Sequence, residues 1–163
     1  MIRPPQELPF RGYTTPKDFI FRLFIDSGKG HPGFAGYIGA AFVGCWERAP
    51  EGDWPEGETY YELPSYNRHR ATNPNSLIIC AAAGALAAGR AAGPEGKVEA
   101  IDVAWKGNVP KHVVHKRMLA RLSSAERAIL KRCLAGVAKS KQHDLLDAVC
   151  MGEDFLLGKG IRT

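Results

Sequence analysis

The spacing of apolar and polar positions changes several times along the chain, and each change marks an element. FIFRLFID (19–26) is dense in phenylalanine and isoleucine and predicts a strand that ends on Asp26. The glycine-rich SGKGHPG follows as a turn. FAGYIGAAFVGCW (34–46) predicts one or two further strands, with Gly39 at a turn or bulge. The polar stretch ERAPEGDWPEGE is a loop, and TYYEL (59–63) is another strand. NPNSLIICAAAGALAAG combines an asparagine cap, small residues suited to close packing and a glycine stop, which predicts a helix over 75–88. KVEAIDVAW (97–105) is the next strand, and KHVVHKRMLARL is a basic helix. SSAERAILKRCLAGVAKS opens with a capping box from Ser123 to Glu126, and Ile129, Leu130, Cys133, Leu134 and Val137 recur at helical spacing. A last helix covers 142–157. Three antiparallel strands, then two parallel ones separated by a helix, then closing helices describe a mixed α/β domain. Residues 1–17 hold four of the eleven prolines and predict an extended arm, which leaves 18–163 as one folded domain.

Composition narrows this only slightly. A chain of 163 residues, 45 % hydrophobic and 24 % charged, suits a single soluble core. The four cysteines form no C-x-x-C pair, so neither a zinc site nor a disulfide framework is expected, and a reducing, cytoplasmic setting fits best. The N-terminus lacks an apolar signal core, and LIICAAAGALAAG is too short and alanine-rich to be expected to span a bilayer.

Charge alters the picture more. The net charge of +5 is concentrated between Trp105 and Lys141, which holds ten lysines and arginines against one acid, Glu126. Such a stripe suits a polyanion such as nucleic acid, and it equally describes a solvated helical face. Within it Lys106, Lys111, Lys116, Arg117, Arg121 and Arg132 are expected to contact phosphate. Arg68 and Arg70, in the loop YNRHR after the TYYEL strand, are expected to do the same.

Four acids stand at chemically useful places. Asp26 and Glu62 lie where strands end, the positions from which α/β folds present reactive groups. Asp144 and Asp147 lie three apart on the last helix, on one side of it. Carboxylates at that spacing repel each other, and a hard divalent cation among them would offset the repulsion. Taken alone, a D-x-x-D pair also fits an ordinary solvated helix face, and an aspartate after a strand also fits a turn.

FIDSGKGHPGFAGY, YYELPSYNRHRATNPNSLIICAAAGALAAG, VAWKGNVPK and HDLLDAV occur in this order, and together they resemble the RuvC-type Holliday-junction resolvases, in particular the small phage-encoded branch. The resemblance covers roughly residues 19–158. It implies a ribonuclease-H-like fold with Asp26, Glu62, Asp144 and Asp147 as catalytic metal ligands, and His143 beside the pair. It also implies Mg²⁺, with Mn²⁺ able to substitute, and cleavage of four-way and other branched DNA by a homodimer in a bacterial or phage-infected cell, with no membrane involved. Two other readings share these residues: a nuclease of the same fold acting on flapped DNA or RNA–DNA hybrid, and a non-catalytic nucleic-acid-binding protein. The chain departs from cellular members in having only ERAPEGDWPEGE where they carry a long helix between the third and fourth strands, and in having Ser27 where proline is frequent.

Overall fold

The computed structural model describes residues 20–27, 32–48, 57–64, 73–93, 96–102 and 109–162. The expected N-terminal arm, Arg68, Arg70 and Lys106 lie outside the described residues. Five strands, β1 (Phe21–Asp26), β2 (Gly33–Ile38), β3 (Ala41–Trp46), β4 (Gly57–Leu63) and β5 (Lys97–Asp102), form one sheet in the order β3-β2-β1-β4-β5. The first three pair antiparallel, and β4 and β5 add on in parallel, which is the mixed sheet read from the sequence. Four helices flank it: α1 (Pro74–Ala92), α2 (Lys111–Leu119), α3 (Ser124–Ala135) and α4 (Lys139–Gly158).

The ambiguous stretch 34–46 is two strands. Gly39 makes the turn between them with φ 57°, a conformation that favours glycine, and its N–H donates to the Ile20 carbonyl. α1 begins as expected, with Asn73 accepting from the Asn75 N–H and proline in the first turn. It runs beyond 88, however. Gly89 is an ordinary helical residue, and the positive-φ stop is Gly93, at 69°. The apolar run expected to be too short for a bilayer thus belongs to a 19-residue helix, which by length and composition alone could cross one. In this structure it lies along the sheet through Cys80, Gly84 and Ala88.

Strand alternation divides the core in two. Phe21, Leu23 and Ile25 of β1 pack with Ala88 on the α1 face. Phe24 points the other way, towards Tyr37, Tyr60 and the α4 residue Phe155, with ring centroids 5.2–5.5 Å from its own. α4 approaches this face very closely. A Cβ on Gly33 would overlap the backbone of Asp144 and Leu145, and one on Gly152 would overlap the rings of Tyr37 and Phe24. The Tyr37 hydroxyl donates to the Val149 carbonyl at 2.9 Å and fixes the helix along its length.

The end of the sheet at the β2–β3 turn is closed by a buried ionic cluster. Glu126 completes the expected capping box of α3 and also accepts from the Phe42 N–H at 2.8 Å. Arg162 grips both its oxygens, at 2.6 and 2.9 Å, and donates to the Ala40 carbonyl. Its Nη1 lies 3.1 Å from Glu153, which is fully buried. Burial works against the charge of both acids. At Glu126 the hydrogen bonds outweigh it and bring the pKa down to about 2, whereas at Glu153 burial prevails and pushes it to about 7.

Two outcomes are expected. Glu153 has a raised folded-state pKa, so its contribution to stability is fully present below pH 4.5 and is lost as pH rises through 7. In urea titrations the stability of the wild type relative to Glu153→Gln should therefore fall across that window and level off above it. A pH-independent difference would mean that Glu153 does not titrate there. Separately, Gly33→Ala forces a methyl group against helix backbone that cannot swing aside, and should cost about 1–3 kcal/mol. Unchanged melting would show that α4 is not seated on β2 at this point.

Candidate functional site

Sheet register places two of the four predicted acids side by side. β1 and β4 are parallel neighbours, and Ile25 pairs with Tyr61. One step further along both strands come Asp26 and Glu62. Each is two residues beyond a core aromatic, Phe24 or Tyr60, so both project on the α4 face. Both are buried. Ser27, one residue on, points to the other face, and its hydroxyl donates to the Glu62 carbonyl at 2.7 Å, tying the two strand ends together.

α4 brings the other two acids to the same end of the sheet. Asp26 pairs with Gly33, and Gly33 lies against the backbone of Asp144. The Asp144 side chain is engaged by its neighbour His143, Nε2 to Oδ1 at 2.9 Å. Asp147 is only 3 % exposed and faces the seam between α4 and α2. Both of its oxygens are held there: Oδ2 by Lys111 Nζ at 2.6 Å, and Oδ1 by His115 Nε2 at 2.5 Å. Asp147 is thus held by Lys111 and His115, and Asp144 by His143.

Asp26, Glu62 and Asp147 are buried carboxylates that offer the oxygen atoms a hard divalent cation takes. Among the described residues no three histidine, cysteine, aspartate or glutamate side chains are gathered so as to hold one metal ion. Lys111, expected on DNA phosphate, forms an ion pair with Asp147 in this structure. His115 was not anticipated, although its signal is present in the sequence. Lys111, Val114, His115 and Met118 follow the i, i+3, i+4, i+7 pattern of a single helix face, and Val114 and Met118 are buried against Cys150 of α4. Two basic side chains on a buried face call for an acid opposite them.

Most of the other described basic residues of the stripe turn outward. Lys116, Arg117, Arg121 and Arg132 are all exposed, as are Arg127 and Lys131. Asp144 also lines a groove of about 430 Å³, together with Gly33, Arg48, Arg90 and Lys141. Arg48 and Arg90 are cations that the sequence reading did not single out. They come from the end of β3 and the last turn of α1, and only the fold brings them together.

No protein-family model and no curated protein matches this chain. Among solved structures it is similar to that of RuvC from Thermus thermophilus, at 16 % identity and a TM-score of 0.41. The alignment covers 88 % of this chain and 99 % of that one.

Proposed function

We propose that the chain is a metal-dependent, structure-selective endonuclease that cleaves four-way junctions and other branched DNA by phosphodiester hydrolysis. The observation that carries this reading is that Asp26 and Glu62 each stand one step beyond the Ile25–Tyr61 pair of β1 and β4, both buried, with the backbone of Asp144 against Gly33, the partner of Asp26. When bound, Mg²⁺ or Mn²⁺ would polarise a phosphate and activate water. The chain's own part is to hold the acids at the strand ends and to bring the backbone to them with exposed cations. Lys116, Arg117, Arg121 and Arg132 supply these from α2, α3 and the turn between them, and Lys106, Arg68 and Arg70 remain part of the proposal.

Symmetrical incision of a junction needs two sites related by a two-fold axis, so a homodimer belongs to this reading. The exposed apolar side chains Ile78, Ile79 and Leu86 of α1 support it. A second reading, non-catalytic binding of nucleic acid, is favoured by one observation: both Asp147 oxygens are already occupied by Lys111 and His115.

A cleavage assay separates the two. Wild-type protein should cut a synthetic four-way junction in preference to linear duplex, only with Mg²⁺ or Mn²⁺. Asp147→Asn should bind the junction but fail to cut it. Binding without cutting by the wild type would establish the second reading, and preferential cutting of flapped DNA or RNA–DNA hybrid would move the substrate while keeping the chemistry. A further measurement concerns the basic helices. Each contacted phosphate contributes roughly −0.9 to the slope of log affinity against log salt. Arg121→Gln with Arg132→Gln should therefore flatten that slope by up to about 2 while leaving melting unchanged. A wild-type slope in the double mutant would make this surface a solvated face.

A further inference from the structure

We propose that Cys45 and Cys133 form a redox modification site, at which a hydroperoxide converts the two thiols into a disulfide between β3 and α3. The site is independent of the nuclease reading and of any bound ion.

All four cysteines are free thiols in this structure, and two of them meet. Cys45 is buried on β3, within the core cluster on the α4 face of the sheet. Cys133 lies in the last turns of α3, is half-buried and packs against the same cluster. The two thiols are hydrogen-bonded to each other, and the Cys45 backbone also hydrogen-bonds the Cys133 sulfur. Sulfurs in such contact have only a short approach to make before they reach a bond length of about 2 Å. The end of α3 can supply it: Gly136 follows the helix, with open space where a Cβ would stand. The other two thiols are elsewhere. Cys80 is on α1, across the sheet, and Cys150 packs with Val114 and Met118.

The contact gives the two sulfurs different roles. The hydrogen bond from Cys45, helped by the Arg132 charge, outweighs burial and brings Cys133 down to about 6. The same hydrogen bond, together with burial, holds Cys45 well above the ordinary thiol range. Cys133 is therefore largely thiolate near neutral pH, the form that attacks an oxidant, and it is the more accessible of the two. Its sulfur attacks one peroxide oxygen; an S–O bond forms, the O–O bond breaks, and the departing hydroxide takes up a proton as water. The Cys45 sulfur then attacks the sulfenic acid; an S–S bond forms, the S–O bond breaks, and the Cys45 proton leaves with hydroxide as a second water. Two electrons pass from the sulfurs to the peroxide. In a reducing compartment such a bond is transient and reports on oxidant.

The test is peptide mapping of the full-length wild-type chain, treated with hydrogen peroxide in native buffer and then alkylated. A linked pair of peptides containing Cys45 and Cys133, lighter by two hydrogens and separated by dithiothreitol, is expected. Cys80 and Cys150 should stay alkylatable, with Cys133 oxidised at least about tenfold faster than either. In Cys45→Ala the oxidation of Cys133 should stop at a sulfenic acid that a 1,3-diketone traps. Over-oxidation of wild-type Cys133 without a linked peptide, links only between separate molecules, or equal oxidation of all four cysteines would each overturn the proposal.

Discussion

The close seating of α4 on the sheet is the constraint from which the site follows. Two glycines make it possible, Gly33 on the strand and Gly152 on the helix, and neither leaves room for a side chain. Close contact carries the first turns of α4 over the end of β2, where Asp26 finds its antiparallel partner. It also buries Asp147, and a buried carboxylate needs compensation. The partner comes from α2, whose basic inner-face residues would otherwise have no reason to point inward. Packing thus comes first, burial follows from packing, and the ion pairs follow from burial.

α4 carries a second buried acid, and comparing the two shows what the fold treats as permanent. Glu153 and Glu126 share the guanidinium of Arg162, which is planar, forked and mostly buried, and which also holds two backbone carbonyls. Such a partner cannot be exchanged without opening the end of the domain. Asp147 has instead a lysine on a flexible, half-exposed stem. Arginine gives a fixed, bidentate closure, whereas lysine offers a point charge on a flexible stem. One cluster seals the end of the sheet at the β2–β3 turn, and the other joins α4 to α2 through a half-exposed lysine and a histidine.

How much of this could be read in advance depends on the range of each interaction. The capping box of Ser123 and Glu126 is local, and it forms as the spacing implies. The strands around Phe24 and Tyr60 follow from short patterns, so their existence was legible. Asp26 and Glu62 were legible as strand-end acids, but their adjacency depends on the β1–β4 register, which no local pattern encodes. The end of α1 was misplaced because Gly89 and Gly93 look alike in sequence, and only backbone conformation tells them apart. Arg162 was not anticipated because its partners lie 36 and 122 residues away along the chain for Glu126 and Ala40. Lys111 was expected beside the site; its ion pair with Asp147 depends on the packing of α2 against α4, which helical phase alone only hints at through Val114 and Met118.

α2 shows why that phase matters energetically. A helix of nine residues has little stability of its own. Its N-cap is Pro110, which offers no side-chain hydrogen bond, and its first turn carries Lys111 and His112 where the helix dipole favours negative charge. Local sequence therefore opposes this helix at its start. Asp147 reverses the sign of that environment by placing a carboxylate beside the first turn, within hydrogen-bonding distance of both Lys111 and His115. Burial of Val114 and Met118 on Cys150 adds the apolar part. The order of α2 and the charge of Asp147 consequently support each other. The outer face of the same helix presents Lys116 and Arg117 to solvent, so one short element joins the exposed basic surface to the buried acid.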